Sequence, residues 1–124
     1  MLEIHKIKDI ETINKLANEA NIEYTDKDVF LASMQNDLIV DFLCYKQIDN
    51  RYSVIFISDK SNDFQIIFGL VKTLLFLADL AAKECVTLPK YCERVAKAIG
   101  FTLTDDYFEM KLADYQSKCG GCCS

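Results

Sequence analysis

Residues 64–82 are apolar almost throughout, and whatever this chain folds into must cover them. The run is close to the roughly 20 apolar residues that cross a bilayer. Gln65, Lys72 and Asp79 interrupt it. Their seven-residue spacing puts all three on one narrow stripe of a helix that is otherwise apolar all round, which predicts a buried helix and no membrane span, with a homodimer contact as the alternative cover. A chain of 124 residues can supply the one continuous core that such a helix needs.

The flanking text alternates between strand and helix signals. Leu2, Ile4 and Ile7 mark a short strand, and Asp9 is placed to cap a helix whose apolar face is Ile10, Ile13, Leu16, Ala17 and Ala20. Residues 29–34, 38–47 and 52–58 read as three strands joined by polar turns, an antiparallel meander. The small polar residues 59–63 can cap the long helix, which extends to Lys83. Residues 85–88 read as another strand. Pro89 at a first helical position and Gly100 just past the end then bracket a helix with Cys92, Val95, Ala96 and Ile99 facing inward. Phe101 and Leu103 resume a strand, Asp105-Asp106 turns the chain, and Phe108, Met110 and Leu112 alternate as a last strand.

The formal net charge is −5 and the pI about 4.8, which argues against nucleic acid, since phosphate binding needs clustered Lys and Arg. The N-terminus carries charge from Glu3 onward and lacks the apolar run of a signal peptide, so the expected location is the cytoplasm. The six cysteines are then expected as thiols and not as a disulfide scaffold.

The order of elements resembles the GNAT superfamily of N-acetyltransferases over residues 1–115. Ala32-Ser33-Met34-Gln35-Asn36-Asp37-Leu38-Ile39-Val40 is similar to its second-to-third strand hairpin. Val95-Ala96-Lys97-Ala98-Ile99-Gly100-Phe101 followed by Asp105-Asp106-Tyr107-Phe108-Glu109-Met110 is similar to its C-terminal helix and strand. The implied fold is α/β (α+β), a mixed, mostly antiparallel central sheet flanked by helices. The implied chemistry is transfer of acetyl from acetyl-CoA to an amine. The resemblance places the pantetheine arm along the backbone of Phe56 and Ile57, with Gln65 and Gly69 the remnants of the loop that would cradle the diphosphate.

That loop departs from the family's pattern. Active members open the long helix with Arg/Gln-x-x-Gly-x-Gly/Ala, whose bare main chain and positive helix end receive phosphate oxygens. Here the text is Asn62-Asp63-Phe64-Gln65-Ile66-Ile67-Phe68-Gly69, so bulky side chains replace glycines and Asp63 brings a carboxylate to the helix end. Lys60 is the only cation nearby in the sequence. Many members also carry a Tyr four residues before the Gly of the Gly-Phe pair, to protonate the departing thiolate, and Ala96 stands there. Tyr91 and Tyr107 are the available substitutes, though Tyr107 is also a packing or strand-capping residue, and no catalytic residue can be assigned. His5, the only histidine, reads first as a surface or strand-edge residue, and Cys85 and Cys92 read as small buried hydrophobes.

Residues 116–124 form a cysteine-rich tail outside the resemblance. Cys119, Cys122 and Cys123 have a spacing that suits Zn, Cu(I) or an iron-sulfur cluster, a redox dithiol, or merely a frayed end with free thiols. Two functions follow from the sequence. The favoured one is a binding or interaction module that has lost acetyl transfer and works through its thiol tail. The alternative is an active N-acetyltransferase with an altered loop. A small molecule or a protein are both open as partners.

Overall fold

The computed structural model describes residues 2–115. Seven strands form one sheet in the order β1-β2-β3-β4-β5-β7-β6, with β1 Leu2–Ile7, β2 Val29–Gln35, β3 Leu38–Ile48, β4 Arg51–Ile57, β5 Cys85–Pro89, β6 Thr102–Leu103 and β7 Tyr107–Lys111. Every neighbouring pair is antiparallel except β4 with β5. The meander β2-β3-β4 is therefore as the sequence predicts. Its turns use residues that tolerate left-handed backbone: Asn36 and Asp37 (φ 53° and 64°), then Asp49 (φ 52°).

Helices cover both faces. Helix α1, Ile10–Ala20, starts where the Asp9 side chain accepts the Thr12 N–H at 3.0 Å and ends at Asn21 in left-handed conformation. It lays Leu16 and Ala17 on Phe30, Ala32, Phe42 and Cys44 of the sheet. Helix α2, Phe64–Leu80, covers the opposite face with Leu70, Val71, Leu74, Leu75 and Ala78, all fully buried against Tyr45, Tyr52, Val86 and Met110. Each buried leucine contributes about 2 kcal/mol of transfer free energy, which explains why so apolar a segment holds this position.

Four sequence expectations need correcting here. Helix α2 ends at Leu80, short of Lys83, because Ala82 turns left-handed (φ 57°) and the Lys83 N–H closes back on the Ala78 carbonyl at 2.9 Å. Its outer surface is not fully covered, since Phe76 and Leu80 are exposed. Pro89 closes β5 and precedes a single 3₁₀ turn, Lys90–Cys92, and helix α3 runs only over Glu93–Ile99. Leu112, expected in the last strand, instead begins a helical turn beyond β7, still buried. Among the described residues, no helix is long and apolar enough to cross a membrane.

Gly69 lies in the second turn of α2 facing β1, where an added Cβ would meet Ile4 Cδ1 at an ordinary 3.8 Å. A helical glycine costs about 1 kcal/mol relative to alanine. Gly69→Ala should therefore raise stability by up to that amount, visible as a higher urea midpoint. A lower midpoint would mean the contact with Ile4 is tighter than it looks.

Candidate functional site

The sheet opens at its one parallel junction. Strands β4 and β5 are in register for three residue pairs, Arg51–Cys85, Tyr52–Val86 and Ser53–Thr87, and then diverge. The Thr87 hydroxyl donates to Ser53 Oγ at 2.9 Å where they part. A bulge sharpens the divergence, because Cys44 and Tyr45 of β3 face Phe56 and Val54, which leaves Ile55 as an extra residue in β4. Beyond the bulge, Ile55 and Phe56 pack on the α1 side and Ile57 on the α2 side.

A cleft of about 130 Å³ fills the gap, lined among others by Ile57, Asn62, Phe64, Tyr91, Cys92 and Arg94. The Tyr91 hydroxyl reaches across it and accepts the Ile57 N–H at 2.9 Å, with its oxygen 3.5 Å from the Ile57 carbonyl oxygen. One phenol thus stands in for the strand partner that β4 lacks. Although 62% of Tyr91 is exposed, the hydroxyl end is turned inward. Burial raises its pKa above the ordinary tyrosine value, partly offset by the N–H of Ile57, so the group is a neutral phenol at physiological pH.

The loop between β4 and α2 is held by carboxylates of the chain itself. Asp41, fully buried on β3, accepts from Ser58 Oγ at 2.7 Å, from Lys60 N at 2.7 Å, from Ser61 N at 3.3 Å and from the Ser61 hydroxyl. Asp63 caps α2 by accepting the Gln65 N–H at 3.0 Å. The Lys60, Ser61 and Gln65 amides are therefore engaged from within and not open to a diphosphate.

Cations are distributed differently from the sequence expectation. Lys60 turns away from the cleft and pairs with Glu19 of α1. The cation at the cleft is Arg94 of α3, whose guanidinium lies 4.2 Å from the centre of the Phe64 ring. Arg94 has no carboxylate within ion-pair distance among the described residues.

Of the residues singled out by sequence, Ile57 lines the cleft and Phe56 lines a pocket on the other face. Gln65 offers its N–H to Asp63, and Gly69 sits within α2, so neither lines the cleft. Tyr91 is brought to the cleft. Tyr107 instead begins β7, where its carbonyl accepts from Thr104. His5 is exposed on β1 near Glu3. Cys119, Cys122 and Cys123 lie outside the described residues, and among the described residues no three His, Cys, Asp or Glu side chains converge as metal ligands.

The described thiols are poor nucleophiles. Burial pushes Cys44 and Cys92 up to about 12, and Cys85 is raised by burial and then by Glu109. The folded state favours neutral thiols, so their stabilisation is complete below the unfolded value of 9.0 and is lost as pH rises from there toward about 12. Stability measured by chemical denaturation should fall steadily above pH 9, and Cys44→Ala with Cys92→Ala should flatten that slope. An unchanged slope in the double variant would refute the assignment.

The fold is that of the GNAT N-acetyltransferases. An N-acetyltransferase from Staphylococcus aureus Mu50 superposes with a TM-score of 0.75 at 14% identity, over 91% of this chain and 99% of that one. The dodecameric spermidine N-acetyltransferase of Vibrio cholerae gives 0.76 at 8% identity, over 94% and 97%. The PaiA N-acetyltransferase of Thermoplasma acidophilum, in complex with coenzyme A, gives 0.65 at 13% identity, over 90% and 99%. Neither the family models nor the curated proteins compared with the sequence give a match.

Proposed function

We propose that the chain takes an acyl-CoA thioester, acetyl-CoA in the first instance, between β4 and β5 and transfers its acyl group to an amine. One observation carries this reading: β4 continues past its last pairing with β5 and presents the Ile57 N–H to a cleft. An extended pantetheine arm can add to β4 there as a short strand, its carbonyl taking the N–H that Tyr91 now holds. The cleft as it stands is smaller than the roughly 300–1,000 Å³ of ordinary ligand pockets, so Tyr91 must swing outward on binding. It is the side chain best placed to do so, being largely exposed and held by this one hydroxyl.

With the loop amides engaged by Asp41 and Asp63, the diphosphate is expected to lie further out, beside Arg94, whose fork can pair two phosphate oxygens. Calorimetric titration should give a micromolar dissociation constant for acetyl-CoA, and absence of binding at millimolar ligand would end the proposal. Arg94→Gln should weaken acetyl-CoA about tenfold, in line with one charge-assisted contact of about 1.4 kcal/mol, and leave phosphate-free S-acetylpantetheine unaffected. Equal weakening of both ligands would remove Arg94 from phosphate binding.

The second reading is a noncatalytic binding module whose working part is the tail with Cys119, Cys122 and Cys123. The internally capped loop favours it. Its signature is metal in anaerobically purified protein that disappears when the three cysteines become serine, together with no affinity for acetyl-CoA. Metal-free protein that binds acetyl-CoA would exclude it.

A further inference from the structure

The end of β4 is shared by two pockets on opposite faces of the sheet. Ile57, Ser58 and Asp59 line the cleft on the α2 and α3 side. The same three residues line a shallow pocket of about 230 Å³ on the α1 side, completed by Glu19, Ala20, Phe42, Phe56 and Lys60. A thioester in the first pocket and a nucleophile in the second would meet across the tip of one strand. The second pocket has an aromatic floor, with Phe42 and Phe56 5.5 Å apart between ring centres, and two carboxylates at its rim. Lys60, tethered through its backbone N–H to Asp41, pairs its ammonium with Glu19, and both residues line the rim of this pocket and of a neighbouring one along α1. The chain thus already places a primary alkylammonium there.

We infer that this α1-side pocket is the acceptor site, that it selects a small primary alkylamine carrying a second positive charge, and that Lys60 is its built-in competitor. The inference rests on the acyl-transfer reading above. The distal ammonium of a diamine replaces that of Lys60 on Glu19, whose carboxyl is held below its usual range first by the Lys60 hydrogen bond and then by the charges of Lys60 and Lys15. It is therefore ionised wherever the amine is cationic. The other nitrogen comes to Asp59, at the strand tip common to both pockets. There the ammonium gives one proton to Asp59 and on to water. The freed amine forms the C–N bond to the acyl carbon as the C–S bond breaks, and its second proton leaves with the sulfur as coenzyme A thiol. An anionic acceptor meets two carboxylates and is rejected.

The test uses three acceptors of equal chain length with the full protein and acetyl-CoA: cadaverine, pentylamine and 5-aminopentanoate. Turnover per unit acceptor should fall in that order, by about tenfold between first and last. Glu19→Gln should raise KM for cadaverine about fivefold, the upper range for a solvent-exposed pair, while leaving KM for pentylamine and for acetyl-CoA unchanged. Lys60→Met should lower KM for cadaverine severalfold, a gain that mere loss of structure cannot produce. Equal use of the three acceptors, or no response of cadaverine to Glu19→Gln and Lys60→Met while acetyl-CoA still binds, would overturn the inference and leave the acyl-CoA site standing. No affinity for acetyl-CoA would overturn both.

Discussion

Replacing Asp41 with alanine is expected to lower the melting temperature by about 15 °C. The carboxylate is fully buried and collects four donors from the loop after β4. Removing it leaves two backbone N–H groups and two hydroxyls without their acceptor, and at about 1–3 kcal/mol for each donor left unsatisfied, with water recovering the more exposed ones, the loss is roughly 3–5 kcal/mol. At about 4 °C per kcal/mol for a domain of this size, that is the stated drop. The serine it orients also accepts the Phe42 N–H at 2.9 Å, so the damage reaches the α1-side core. Asp41→Asn keeps the volume and one acceptor oxygen and should lose about half as much. A calorimetric scan in which Asp41→Ala melts within about 3 °C of the parent would show that water or a rearranged loop replaces the carboxylate.

Tyr91→Phe should tighten acetyl-CoA binding by about three- to tenfold. The phenol and the incoming ligand compete for one N–H at the strand tip. A neutral hydrogen bond of this kind contributes about 0.5–1.5 kcal/mol net, and the ligand no longer has to displace it once the hydroxyl is gone. Titration of parent and variant side by side reads the difference directly. Weaker binding by the variant would make the hydroxyl a contact of the ligand and not its rival. Unchanged binding with turnover reduced a hundredfold would instead make Tyr91 the proton donor to the departing thiolate.

What the sequence made legible is local. The apolar run from Phe64 onward, its Asp63 cap, the cap at Asp9 and the polar turns of the meander all follow from spacing and side-chain chemistry within a few residues, and the structure has them in place. What it concealed is long-range. Asp41 meets Ser61 across 20 residues and Tyr91 meets Ile57 across 34. No periodicity encodes such pairs, so Asp41 read as one more residue of a strand. Tyr91 was a candidate only because it lies near the expected position at Ala96. Arg94 went unnoticed for the same reason: proximity along the chain pointed to Lys60, whereas folding sends Lys60 to Glu19 and swings α3 over Phe64. Pro89 misled through an ambiguity of chemistry, since a residue with fixed φ and no N–H suits a helix start and a strand end alike.

The early parting of β4 from β5 has an energetic meaning. A sheet that must be pried open loses several ladder bonds before a guest gains any. Here the seam is already unzipped past Ser53 and Thr87, so an extended guest lengthens the sheet without undoing it. What it must dislodge is a single phenol, which leaves nearly all of its attraction available for grip and alignment.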